Sequence, residues 1–149
     1  MRQILVLHAM SHYMRQTTFE FNLSFGRYAP EDCNVIYHNI RDPHLPEQLK
    51  VGFDSLFLTY DLLGLRSSNQ WNWVTDRIGL IRSNCDQLIA FPQDDYTSNI
   101  VLDDSLFELK TDVIYSPIES GLEILYPKMS RHSTIRHALT GYVDETLSA

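Results

Sequence analysis

Cysteine is scarce in this chain: of 149 residues only Cys33 and Cys85 carry a thiol, and they form no CxxC pair. A disulfide framework or a structural zinc site needs more than that, so both thiols read as small buried hydrophobes. Glycine is scarce too, with six in all, and none falls in "HAMSHYMRQ" (8–16), the turn after the first apolar run. This excludes the GxGxxG dinucleotide fingerprint and the phosphate-cradling loop, whose backbones reach phosphate only where side chains are missing. No NAD, ATP or other cofactor is expected. Positive charge is short, 12 Lys and Arg against 19 Asp and Glu, and a net charge of −7 leaves no basic field to hold nucleic acid. No apolar run approaches the roughly 20 residues of a membrane-spanning helix. The opening "MRQILVLHAMSHY" is too short in apolar length for a signal peptide and is interrupted by His8 and His12. The reading is a cytoplasmic protein, peripheral to the inner membrane at most. HExxH and GxSxG are also missing, so neither a metal site nor a covalent nucleophile is indicated.

What is there suits a single domain over residues 1–149, with 44% apolar and 11% aromatic residues to build a core. Short apolar runs recur at "QILVLHA" (3–9), "CNVIYH" (33–38), "FDSLFLTY" (53–60), "DQLIAF" (86–91), "TDVIYS" (111–116) and "STIRHALT" (133–140). Near-continuous apolar character marks strands buried on both faces, and the alternation in the last run marks an edge strand. Between them lie segments of helical period. "WNWVTDRIGLIRSNC" places Trp71, Val74, Ile78, Ile81 and Cys85 on one stripe, and "SNIVLDDSLFELK" (98–110) does the same with Leu102, Leu106 and Leu109. Thr17 with Glu20, and Ser120 with Glu123, fit the capping box and predict helix starts, whereas "PEQLK" (46–50) has room for little more than a turn or two. Strands alternating with helices predict an α/β fold: a doubly wound, Rossmann-like, six-stranded parallel sheet with helices on both faces. The expected strand order is 3-2-1-4-5-6, with the third and sixth runs at the edges.

In such a sheet ligands bind at the carboxyl ends of the strands. Collecting the residues there gives His8, Ser11, His12, Tyr13 and Arg15 after the first strand, and His38, Asn39, Arg41 and Asp42 after the second. Thr59, Tyr60, Asp61 and Arg66 follow the third, Gln93, Asp94, Asp95 and Tyr96 the fourth, Ser116 and Glu119 the fifth, and Tyr142 the last. Hydroxyls, phenols, amides and acids dominate, the donors and acceptors a polyhydroxylated ligand needs. Adjacent carboxylates cannot project the same way from an extended backbone. One of Asp94 and Asp95 is therefore expected to face the cleft as a general base, Asp94 being favoured, and the other to support the helix beginning near Ser98. His12 is the competing base, because imidazole titrates near neutrality.

The motifs "FPQDDY", "LEILYPKM" and "LTGYVDE", with "FLTYDLLGLR" after the third strand, resemble the amino-terminal half of bacterial two-domain GT-B glycosyltransferases. The resemblance spans nearly the whole chain. It implies transfer of a sugar from a nucleotide-sugar to an acceptor hydroxyl in the synthesis of a surface glycan. The glycan acceptor would be held on this domain by Ser11, Tyr13, Arg15, Tyr60, Arg66, Gln93, Tyr96, Glu119 and Tyr142, and the nucleotide-sugar by a carboxy-terminal domain beyond residue 149. Inversion and retention both stay open. The rival reading is a non-catalytic Rossmann-like module that binds a ligand or a protein partner, a homo-oligomer included, through Trp71, Trp73, Phe107 and Tyr126.

Overall fold

The computed structural model describes residues 1–139. Six parallel strands form one sheet: β1 (Arg2–His8), β2 (Cys33–Asn39), β3 (Phe53–Leu58), β4 (Cys85–Ala90), β5 (Val113–Ser116) and β6 (Thr134–His137). Each falls on one of the apolar runs. The connections carry α1 (Gln16–Arg27), α2 (Tyr60–Leu63), α3 (Trp71–Arg82), α4 (Asn99–Glu108) and α5 (Leu122–Leu125), with short 3-10 turns at Glu47–Lys50, Gly64–Ser67 and Met129–Arg131.

The two faces of the sheet are covered differently. On one, Leu5, Leu7, Leu56, Leu58, Leu88 and Ile114 meet Val74, Ile78 and Ile81 of α3 and Leu102 and Leu106 of α4, all at 0% exposure. A buried leucine side chain of this kind contributes about 2 kcal/mol or more of transfer free energy. The other face is aromatic. Phe25 of α1 lies 5.2 Å from Phe57 and 4.9 Å from Phe91, ring centre to ring centre, and Phe91 stacks on Tyr115 at 5.4 Å. Helices therefore sit on both faces, as the alternation of strand and helix requires.

The fold class stands as expected, with a different seat for one strand. The sheet runs β2-β1-β3-β4-β5-β6, so β2 closes the edge that the order 3-2-1-4-5-6 assigned to β3. The reason is burial. Leu56 and Leu58 of β3 are fully enclosed, and β3 pairs with β1 on one side and β4 on the other. β2 instead carries Asn34, His38 and Asn39 and is half-buried along most of its length, which suits an edge. Its first residue, Cys33, is half-buried, unlike Cys85 in the core. β6 takes the opposite edge, as read from its alternation.

Two helix starts differ from the capping boxes. α1 begins at Gln16, with Arg15 as its cap residue and no side-chain cap, and Glu20 instead accepts hydrogen bonds from Gln16 and Arg27. α5 is a single turn entered through Gly121 at φ 74°, a left-handed conformation that glycine adopts without strain, and Ser120 does not cap it. Helix α3 and the Leu102, Leu106 and Leu109 stripe of α4 are as the periodicity predicts.

Candidate functional site

Strand order reverses between β1 and β3, because the chain leaves β1 toward β2 and then crosses back to build β3 to β6 on the other side. Loops diverge at such a point and leave a crevice at the carboxyl ends. Here the segments that follow the two strands are residues 9–15 and the turn of α2. Asp61, in the first turn of α2, clasps them together. One carboxylate oxygen accepts the Ala9 N–H at 2.8 Å, and the other accepts Nδ2 of Asn22, on α1, at 2.8 Å. Asn22 is fully buried, and its backbone carbonyl accepts the Tyr37 hydroxyl at 2.8 Å. Arg41 donates to the Ala9 carbonyl at 2.7 Å and Asn39 Nδ2 to that of Met10 at 2.9 Å, so with Asp61 three side chains from elsewhere in the fold hold the start of the β1–α1 loop.

His8, the last residue of β1, lies beneath this loop at 8% exposure. Its Nδ1 accepts the Met10 N–H at 3.2 Å, which places the proton of the neutral ring on Nε2. Burial pushes its pKa below the usual imidazole range, the nearby Asp61 carboxylate pulls it back in part, and His38 pushes it further down. The outer part of the loop projects into solvent. Ser11 is half-buried, His12, Tyr13 and Arg15 are exposed, and the His12 ring sits edge-on to Tyr13 at 5.8 Å. Tyr60 is turned inward, donating its hydroxyl to Thr18 Oγ1 at 3.1 Å.

The "FPQDDY" segment forms a second cluster, over β4 and β5, and its two acids part company. Asp94 takes a left-handed backbone, φ 52°, and its carboxylate stays exposed, accepting the Tyr96 hydroxyl at 3.3 Å. That twist turns Asp95 inward. Asp95 has 0% exposure and accepts hydrogen bonds on one oxygen from Ser116 Oγ at 2.7 Å and from the Tyr126 hydroxyl. Burial drives the Tyr126 pKa far upward, and the adjacent Asp95 charge adds to it. Asp95 therefore has no surface on the rim. Nor does it cap α4, which starts after Ser98 with no side-chain cap. It ties the loop after β4 to β5 and α5.

Arg66 is the other buried member of this cluster, at 6% exposure. Its guanidinium donates to the carbonyls of Leu63 (2.9 Å), Thr97 (3.0 Å), Gln93 (3.3 Å) and Asp94 (2.9 Å), fastening the loop to the turn after α2. Burial lowers its pKa, while Tyr126, Asp95 and Asp94 raise it. It serves as a brace, with its donors spent on backbone. Gln93 is half-buried and Tyr96 exposed, while Glu119 stands 3.6 Å from His137 Nε2 at the β6 side of the rim. Tyr142 lies outside the described residues.

No known protein family, curated protein or solved structure matches this chain.

The rim residues thus fall into two groups, one around His8 and Asp61 and one around Arg66 and Asp95, and no direct contact joins His12 to Asp94 among the described residues. Concavities of about 420 and 430 Å³ lie elsewhere. One is lined by Phe107, Lys110, Met129 and His132, the other by Leu122, Arg131 and Ile135, and neither includes a candidate rim residue. Among the described residues no group of three or more His, Cys, Asp or Glu could hold a metal ion, and no helix is long and apolar enough to cross a membrane. Asn22 was absent from the residues collected on the rim. Its signal was an amide on the stripe of α1 that also buries Thr18 and Phe21.

Proposed function

We propose that this chain forms the acceptor-binding wall of a sugar-transfer site, with the crevice between β1 and β3 holding a polyhydroxylated acceptor and a second domain of the complete enzyme holding the nucleotide-sugar. The observation that carries the reading is the Asp61 clasp. It fixes the Ala9 backbone at the point of strand reversal, and the half-buried Ser11 and the exposed His12, Tyr13 and Arg15 follow on the same loop. Fixed polar groups beside a crevice suit a ligand made of hydroxyls, and the missing glycine turn argues against a diphosphate cradle on this side. In the transfer, the acceptor oxygen bonds to the anomeric carbon as the nucleoside diphosphate leaves, and a base takes the hydroxyl proton. Asp94 and His12 are the exposed candidates for that base, since Asp95 is enclosed.

The rival reading, a non-catalytic interaction module, loses half of its surface. Trp71 and Tyr126 belong to the core, leaving Trp73 and Phe107 exposed on different helices.

The test is an amide NMR titration of the 149-residue chain with neutral mono- and disaccharides. Saturable shifts at residues 9–15, 39–41 and 59–61, with millimolar dissociation constants, are expected, together with no micromolar binding of any nucleotide-sugar. Shifts scattered over the surface, or tight nucleotide-sugar binding without a partner domain, would overturn the proposal.

A further inference from the structure

We propose that His8 is a proton-operated latch on the crevice: its neutral ring holds the β1–α1 loop closed through Met10, and protonation releases it. The consequence for an acceptor rests on the reading of the crevice given above, while the latch itself does not. The geometry is the hydrogen bond from the Met10 N–H to His8 Nδ1, at 3.2 Å. An acceptor nitrogen must keep its lone pair, so a second proton on the ring turns Nδ1 into a donor facing another donor. The bond is lost and the Met10 N–H is freed, while Asn39 still holds the Met10 carbonyl and Arg41 and Asp61 still hold Ala9. The opening is therefore local to Met10 and the exposed stretch that follows it, His12 to Tyr13.

The surroundings decide which way the coupling runs. Asp61, reaching in from α2, favours the charged ring, but both of its oxygens already accept N–H groups, from Ala9 and Asn22. From β2, His38 opposes the charge, and the Tyr37 ring meets the imidazole edge-on at 6.2 Å with no charge to offer. On α1, Asn22 is uncharged and is bound to Asp61. Enclosure outweighs the single carboxylate, so the closed loop and the neutral ring stabilise one another. The sign follows by linkage. If closure depresses the ring's affinity for a proton, then protons favour opening, and the closed state is lost as pH falls below the free imidazole value of roughly 6.5.

The experiment measures the protection of the Met10 amide against hydrogen exchange between about pH 7.5 and about pH 5, in the wild-type chain and in His8→Asn. The asparagine oxygen can accept the same N–H but does not titrate. In the wild type, protection should fall by up to about tenfold per pH unit below the free imidazole value of roughly 6.5, the limit for one linked proton. In His8→Asn it should stay level. Flat protection in the wild type, or an equal fall in the variant, overturns the latch. Should the variant fail to fold, nitrogen-15 shifts of His8 in the wild type decide: an unprotonated Nδ1 near neutrality and a midpoint shared with the Met10 amide support the latch, and separate midpoints defeat it. Saccharide titration at the two pH extremes separates the proposals. Weaker binding in acid is expected, and no binding at either pH removes the acceptor reading while the exchange data still judge the latch.

Discussion

The two neighbouring acids show how far one backbone torsion decides a side chain's role. Asp94 sits at φ 52°, and the residue after it is thereby swung from the rim into the interior, where Ser116 and Tyr126 both donate to it. Asp95→Asn replaces the charged oxygen that takes both hydroxyls with a neutral amide oxygen, puts an NH2 group in the enclosed space beside it and removes a negative charge near Arg66. A loss of about 2 kcal/mol in urea unfolding is expected, in the range for breaking a buried, charge-assisted hydrogen bond. Asp94→Asn, at an exposed position whose left-handed backbone asparagine tolerates, should change stability by less than about 0.5 kcal/mol. If Asp94 is the base of the complete enzyme, the same change should lower turnover by about 10²-fold. Equal destabilisation by the two substitutions would contradict the division of labour. The sequence offered both acids to the rim because nothing in "PQDD" declares which residue will take the left-handed turn.

Among the elements, what could be read was what depends on local pattern. Each of the six strands falls on a run whose apolar character follows from burial in a parallel sheet, and α3 follows from Trp71, Val74, Ile78 and Ile81. What could not be read was pairing. Whether β2 or β3 takes the edge depends on which is enclosed by neighbours on both sides, a property of the assembled sheet. Even so, the polar side chains of β2 carried a hint that it belongs at an edge. The two capping boxes failed for a similar reason. Ser or Thr followed three residues later by Glu is a common spacing, and it caps a helix only when the chain enters at that residue. Arg15 and Gly121 occupy those entries instead. The Asp61 clasp was invisible because Asp61 and Asn22 lie far apart in the chain, although the amide on the buried stripe of α1 was there to be noticed.

At the level of the whole molecule, two enclosed histidines make the fold sensitive to acid. His8 and His38 are both at 8% exposure, and burial lowers the pKa of each; beside His38, Asp42 pulls upward and Arg77 downward. A base whose pKa is depressed by folding binds fewer protons in the native state than in the unfolded one. Stability should therefore be full above roughly pH 6.5 and decline as pH falls, until the native imidazoles are charged as well. Urea midpoints at about pH 7.5 and about pH 5 measure this, and replacing both histidines with asparagine should flatten the dependence. A midpoint unchanged between the two conditions in the wild type would show that neither ring is held neutral.

The Asp61 clasp also has a place in time. It joins residues 52 and 39 positions apart in the chain, to Ala9 and to Asn22, so it can close only once β1, β3 and α1 have come together. The loop-closure entropy must be met before this contact returns anything. The crevice should thus be the last part of the amino-terminal half to form and the first to open. For Asp61→Asn, the folding rate should stay near that of the wild type while the unfolding rate rises, a φ-value close to zero in stopped-flow chevrons. A φ-value near one would place the clasp in the folding nucleus. With the low value, a molecule whose crevice is closed is one whose surrounding strands have already folded, and binding there reports a finished fold.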